Sequence, residues 1–228
     1  MMEKRVEIVG TGDGSDTLYV PDIEEHYHSV YGAVGESEHI FIRAGFHHFK
    51  GNGPIHLLEV GFGTGLNVLL TALAADTSQS FVRYYALEKS PLSAEILRKI
   101  NYPALLGPGT EELYRVIHDS SWNIPVRITP MLELVKIRVD FISASLSEIP
   151  LCNLVYYDAF SPEKQPEMWN QVLFRKLYNK MEKGGIFVTY CAKGSVRRSL
   201  QWAGFRVERL PGPPGKREIL RGIKSFCD

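Results

Sequence analysis

Cysteine is scarce. Three thiols, Cys152, Cys191 and Cys227, are spread along 228 residues, too few and too far apart for a disulfide framework, and a reducing compartment is expected. Long apolar runs are missing as well. None approaches the ~18 residues that a membrane helix needs, which excludes an integral membrane protein of that kind. The N-terminus, Met1-Met2-Glu3-Lys4-Arg5, leads straight into Gly10-Thr11-Gly12-Asp13-Gly14. It lacks the apolar core of a secretory signal, so a cytoplasmic location is expected. There is no internal repeat and no low-complexity tract. With 44% hydrophobic and 23% charged residues, disorder and coiled coil are excluded. The length suits one α/β domain with a small addition.

Net charge is missing too, with 26 basic residues against 26 acidic ones. The balance hides an uneven distribution. Lys193, Arg197, Arg198, Arg206, Arg209, Lys216, Arg217, Arg221 and Lys224 face only Glu208 and Glu218 in the last stretch of the chain. That stretch carries a surplus of +7, and the remainder carries −7. A local basic face attracts a polyanion even on a neutral protein; the plain alternative is a solvated helix face.

What is present is an alternation of strands and helices. Val6–Val9, a Gly12–Ser15 turn and Thr17–Val20 predict a β-hairpin, and a mostly helical stretch is expected from His26 to Ile42. The loop Gly51-Asn52-Gly53-Pro54 then opens the main pattern. Ile55–Val60 reads as a buried strand, Leu66–Ala75 as a helix, Val82–Leu87 as a second strand, and Pro91 suits the first turn of the next helix. Such βαβα order implies a parallel sheet covered by helices. Residues 101–125 look like an insertion or helical excursion. Further strands are expected at Val126–Ile128, Leu134–Ile137, Asn153–Tyr157 and Ile186–Tyr190, the last entered by a Gly184-Gly185 turn. Helices are expected around Trp169–Tyr178 and Val196–Trp202, and final strands at Gly204–Val207 and Arg217–Leu220.

The chemistry concentrates at strand ends. The first parallel strand runs into Glu59-Val60-Gly61-Phe62-Gly63-Thr64-Gly65-Leu66-Asn67. Glycines there let backbone approach a ligand closely, and the following helix offers free N–H groups. The Gly-x-Gly-x-Gly spacing differs from the dinucleotide fingerprint Gly-x-Gly-x-x-Gly. An acid two residues ahead would repel a pyrophosphate but suits a zwitterionic, cationic cofactor such as S-adenosylmethionine. A purely structural strand–helix turn is the alternative. Glu88 ends the second strand, where an acid can accept both ribose hydroxyls of an adenosine cofactor, or simply open a helix. Asp140 is a candidate for the adenine amine, or a surface acid. Asp158 ends the fourth strand, at the edge where ligands of open α/β sheets bind. It could orient an acceptor amine and take its proton, or merely cap the next helix. His26, His28, His47 and His48 lack the spacing of a metal site, and Cys191 reads as a small core residue.

These residues resemble a known family. The loop Phe62-Gly63-Thr64-Gly65-Leu66-Asn67, the run Asp158-Ala159-Phe160-Ser161-Pro162 with Pro166-Glu167-Met168-Trp169, and the tail elements Lys193-Gly194-Ser195-Val196-Arg197-Arg198, Gly204-Phe205 and Gly215-Lys216-Arg217-Glu218 are similar to the methyltransferase domain of the bacterial tRNA 5-methylaminomethyl-2-thiouridine biosynthesis (MnmC-like) proteins. Tyr27-His28-Ser29 and Gly35-Glu36-Ser37 resemble that family's N-terminal extension. The match covers nearly the whole chain in order.

The resemblance implies a class I S-adenosylmethionine-dependent methyltransferase (Rossmann-like) fold. Its sheet would be mostly parallel, with seven strands and helices on both faces. It would comprise an N-terminal extension at 1–52 and a methyltransferase domain at 53–228. It implies N-methylation of the 5-aminomethyl group of the wobble (2-thio)uridine in tRNA. By position, Glu59, Gly61, Phe62, Gly63, Thr64, Gly65, Asn67, Glu88 and Asp140 would bind the cofactor, and Asp158 would be catalytic. Phe160, Trp169, Lys193, Arg197, Lys216 and Arg217 would serve the RNA, cations on phosphates and aromatics on an extruded base.

Two departures stand out. No second glycine fingerprint exists for the flavin oxidase domain that some family members carry, so neither flavin nor metal is expected. The glycine usual before the adenine-binding acid is absent at Asp140. Two other functions fit the residues: a methyltransferase acting on a small-molecule or protein amine, because fold alone does not fix substrate, and a non-catalytic RNA-binding module. The first is separated from the tRNA reading by whether the basic residues share a face with Asp158. Failure to bind S-adenosylmethionine would favour the second.

Overall fold

The six residues Ile55–Val60 form β4, and all but His56 are buried. A strand so uniformly buried belongs in the middle of a parallel sheet with both faces covered. A computed structural model, which describes residues 5–51 and 53–225, puts it there. Met1–Lys4, Asn52 of the predicted loop, and Phe226–Asp228 with Cys227 lie outside the described residues. β4 pairs in parallel with β5 (Val82–Glu88) on one side and β8 (Cys152–Tyr157) on the other. β7 (Leu132–Arg138) continues the sheet beyond β5, and β9 (Met181–Thr189) continues it beyond β8.

The full order is β10-β11-β9-β8-β4-β5-β7-β6, where β6 is Val126–Thr129, β10 is Arg206–Pro211 and β11 is Glu218–Ile223. The sheet therefore has eight strands, not the expected seven. The eighth is β6, which folds back antiparallel on β7 across the Pro130 turn. β11 runs antiparallel to β9, and β10 antiparallel to β11.

Two apolar layers sandwich this sheet. Successive side chains of a strand point to opposite faces, so Leu57 and Leu58, or Tyr156 and Tyr157, enter different layers. One layer is filled by α2 (Leu66–Ser78), whose nearly all-round apolar surface demands burial, and by α5 (Thr110–Asp119). The other is filled by α6 (Gln171–Asn179) and α7 (Gly194–Trp202). Cys152 and Cys191 are both buried free thiols in this second layer.

The predicted hairpin forms β1 (Glu7–Gly10) and β2 (Asp16–Val20). Residues 26–29 are not helical. Glu25–His26 make a short β3 on β2, and Tyr27 and His28 donate their backbone N–H groups to the Leu18 carbonyl and the Thr17 hydroxyl. Helix begins only with α1 (Ala33–Ser37) and passes into a wider π-helical turn at Glu38–Arg43. Ile40, Phe41 and Ile42 from this segment share the first core layer with α2.

Two smaller corrections concern turns. Pro91 precedes α3 (Ala94–Leu97) instead of entering it, and Ser93 is the N-cap. The Gly184-Gly185 pair lies inside β9 at a register shift. Residues 101–125 contain α4 (Tyr102–Leu106) and α5, so the excursion is helical. No described helix is long and apolar enough to cross a membrane.

Candidate active site

Strand order reverses between β4 and β8. The connections that leave their carboxyl ends part there, and open α/β sheets bind ligands in that crevice. A cavity of about 360 Å³ occupies it. Its floor is the loop between β4 and α2. Gly61, Gly63 and Gly65 all have positive φ, at 98°, 51° and 74°. At Gly61 a Cβ would come within 2.5 Å of the Asp158 carbonyl oxygen, so the two strand ends touch backbone to backbone.

The loop is braced from behind. Thr64 is fully buried. Its carbonyl accepts the Tyr114 hydroxyl at 2.9 Å and the His118 ring at 3.1 Å, both from α5. A carbonyl cannot donate, so His118 carries its hydrogen on Nε2. Burial, with Lys136 nearby, holds the His118 pKa down at about 4, which keeps the ring neutral. The Thr64 hydroxyl meets His28 Nε2 at 3.1 Å and accepts from Tyr102 at 3.4 Å. The helical excursion and the N-terminal segment thus both serve to fix the glycine loop.

Carboxylates ring the cavity. Glu88 accepts N–H groups from Gly63 at 3.1 Å and Ser90 at 2.7 Å, which presents it beside the loop. Asp140 bonds the Ile142 N–H at 3.0 Å and pairs with Lys89 at 2.8 Å. That ion pair, against slight burial, lowers its pKa. Asp158 accepts the Asn67 amide at 2.9 Å. Burial, with Glu36 facing it, pushes the Asp158 carboxyl up to about 7, while Asn67 and Lys216 pull the other way. Glu36 lies on the opposite wall and is paired with Lys216 at 3.2 Å. Tyr190 sends its hydroxyl to the Ala159 carbonyl, and its ring lies under the Lys216 ammonium at 4.8 Å. Tyr27 packs edge-on against Phe160. The arrangement gathers acceptors for hydroxyls, amines and ammonium groups, with a carboxyl poised to exchange a proton near neutral pH.

Comparison with known proteins agrees with this chemistry. A family described as S-adenosyl-L-methionine-dependent methyltransferase matches residues 118–225. The tRNA 5-methylaminomethyl-2-thiouridine biosynthesis bifunctional protein MnmC of Paraburkholderia xenovorans is 28% identical over 218 residues, which covers 90% of this chain and 33% of that protein. Its counterpart in Cupriavidus metallidurans is 30% identical over 231 residues, with 93% and 33% covered. The crystal structure of MnmC2 from Aquifex aeolicus superposes with a TM-score of 0.78 at 29% identity, over 97% of this chain and 71% of that one.

The chain is similar to the S-adenosyl-L-methionine-dependent methyltransferases.

It spans about a third of the length of the curated relatives it matches. Spermidine synthase from Thermotoga maritima, at 15% identity and a TM-score of 0.53 over 98% of this chain and 74% of that one, shares the fold.

In this chain, Gly61, Phe62, Gly63, Thr64, Asn67, Glu88, Asp140, Asp158 and Phe160 all line the same cavity. Gly65 caps α2 just beneath it. Glu59 does not reach the wall. It is fully buried on β4 and bonded to Asn67, which stands between it and the cavity. Lys216 lines the cavity and also a shallower cleft beside it, together with Lys193 and Arg217. Lys193 is ion-paired with Glu163 across that cleft. Arg197 lines neither hollow, although it sits within electrostatic reach of Glu218 on the cleft. Trp169, expected to face RNA, is buried. Its indole donates to the Phe160 carbonyl at 2.7 Å, and its ring packs on Tyr157, Phe174 and Tyr190, so it shapes the loop from inside.

Sequence reasoning overlooked Tyr190, Glu36 and the α5 brace. Tyr190 follows β9, and the strand-end rule that found Asp158 would have found it. Glu36 sits in a one-turn helix that carries no local signal.

Proposed function

We propose that this chain is an S-adenosyl-L-methionine-dependent methyltransferase that N-methylates the 5-aminomethyl group of the wobble (2-thio)uridine in tRNA. The observation that carries the reading is Asp158 in the β4–β8 crevice, on a chain similar over nine-tenths of its length to proteins named for that nucleoside. The wall suits S-adenosyl-L-methionine. Glu88 and Asp140 keep lone pairs for ribose hydroxyls and an exocyclic amine, and no cluster of phosphate-binding cations accompanies the loop. When bound, that cofactor supplies an electrophilic methyl carbon whose bonding pair departs onto sulfur.

The residues do the rest. Amines are protonated at neutral pH and nucleophilic only when neutral. Asp158, ionised above about 7, orients the amine and accepts the proton that nitrogen sheds as the N–C bond forms. Phe160 and Tyr190 flank the entry, where an extruded base can stack. Lys193, Lys216 and Arg217 line the adjoining cleft, where phosphates can follow. Residues 1–52 act as an extension that completes the site of the 53–228 methyltransferase domain. This reading assigns the described residues no flavin and no metal, and expects the protein in the cytoplasm.

The test is transfer from methyl-labelled S-adenosyl-L-methionine to bulk tRNA from cells lacking the protein, followed by nucleoside analysis. Label in a 5-methylaminomethyl uridine is the expected result. Intact cofactor binding with no label in RNA would reassign the acceptor to a small-molecule or protein amine.

A further inference from the structure

One amide at the back of the cavity touches two carboxyl groups. Asn67 Nδ2 lies 2.9 Å from Glu59 Oε1 and 2.9 Å from Asp158 Oδ2. Both amide hydrogens are therefore committed, one to each acid. A side-chain amide has two unlike ends. Turned about its axis, Asn67 would set its carbonyl oxygen against Asp158 and repel the ionised form. Asp158 lines the cavity beyond the end of β8, whereas Glu59 is fully buried within the central strand. The rigid acceptor decides which end of the amide faces the cavity.

We propose that Glu59 is a positioning residue, which holds the donor end of Asn67 toward Asp158 and so sets the orientation and proton affinity of the proton-accepting group. It does not line the cavity. The inference rests on the role given above to Asp158.

The tether does not need a charge on Glu59. Burial, opposed by Asn67 and reinforced by Asp158, holds the Glu59 pKa well above its ordinary value, and the carbonyl oxygen of a neutral carboxyl still accepts from Asn67. The groups facing Asp158 are Glu36 from α1, Glu59 from β4, Asn67 from α2, Tyr84 from β5, Tyr102 from α4, Tyr190 after β9 and Lys216 from the β10–β11 turn. Asn67 and Lys216 favour the ionised carboxylate and Glu36 opposes it. Loss of the oriented amide leaves Lys216 alone on the favouring side.

The experiment titrates the Asp158 carboxyl by NMR in the cofactor-free full chain labelled with 13C-aspartate, with the signal assigned by its disappearance in Asp158→Asn. Glu59→Leu removes the acceptor and is expected to raise the Asp158 midpoint by about one unit. The rate constant kcat/KM at pH 7 should fall several-fold with it, and calorimetric affinity for S-adenosyl-L-methionine should stay within about twofold. Glu59→Gln keeps an accepting oxygen and should return the midpoint to within a few tenths of wild type. Asn67→Leu removes the bridge from the other side and must raise the midpoint as well, which keeps the test open if Glu59→Leu does not fold. An unmoved midpoint in either Leu variant overturns the proposal, as does loss of cofactor affinity in Glu59→Gln with the midpoint unchanged. Failure of the underlying reading looks different: Asp158→Asn would then retain turnover, whatever the titrations show.

Discussion

At the residue scale, Asp158 governs two opposite pH responses. Its carboxyl is raised from 3.8 to about 7, chiefly by burial. A raised acid lends stability that is fully present below its unfolded value and is lost as pH rises through the folded one. Wild type should lose thermal stability relative to Asp158→Asn between pH 4 and pH 8, which melting curves across that range will show. Activity runs the other way, because only the ionised form accepts a proton. The kcat/KM profile should have an acid limb near pH 7, and Asp158→Asn should cut kcat by about 10² or more. Gly61 offers a steric counterpart. Alanine there must meet the Asp158 carbonyl at 2.5 Å in a backbone conformation that L-residues avoid. A loss of ~1–3 kcal/mol is expected on chemical denaturation, together with weakened cofactor binding.

At the scale of elements, the glycine loop is only as rigid as the helix behind it. α5 supplies two donors to one carbonyl, Tyr114 and His118 on Thr64. Tyr114→Phe removes one of them at a cost of about 1 kcal/mol. For a domain of this size that is ~2–4 °C of melting temperature, and calorimetric cofactor affinity should fall with it while the acid limb near pH 7 stays in place. This brace was invisible in the sequence. The loop itself was legible because glycine spacing is a local signal, and so were β4, α2 and β5, whose runs are long and apolar. Residues 101–125 carried no such pattern, because α5 buries only one narrow stripe, Thr110, Tyr114 and Ile117, of which the last two join the first core layer. Residues 26–29 misled for a different reason. Their backbone is claimed by β2, a pairing that no local pattern announces. The seven-strand expectation came from the resemblance, and β6 exceeded it because the Pro130 turn folds a short apolar run back onto β7.

At the scale of the molecule, the basic surplus near the end of the chain divides. Arg206, Arg209 and Arg221 are paired with Glu208 or Glu218, and Lys224 donates to the Tyr178 and Met181 carbonyls. The cations that line the cleft beside the cavity are Lys193, Lys216 and Arg217, of which Lys193 pairs with Glu163 and Lys216 with Glu36. Arg217→Ala should therefore weaken tRNA binding and reduce its salt slope by about one, while Arg206→Ala leaves that slope unchanged. Filter binding across a salt series separates the two. A charge count along the sequence found the segment but not this partition, because pairing across β10 and β11 depends on register. Asp158 was legible because a strand end is marked in the sequence. Trp169 was misread because an aromatic beside a loop looks the same whether it faces in or out.

The wall of the cavity is clasped by a pair distant in the chain, Glu36 with Lys216, and the same two segments are joined again where His39 bonds the Pro211 carbonyl 172 residues later. A ribosome delivers the floor early and the clasp late. A nascent chain arrested after β9 would already own Gly61, Glu88 and Asp158 yet have no lysine opposite Glu36, so the cavity wall closes only once the turn between β10 and β11 has been made.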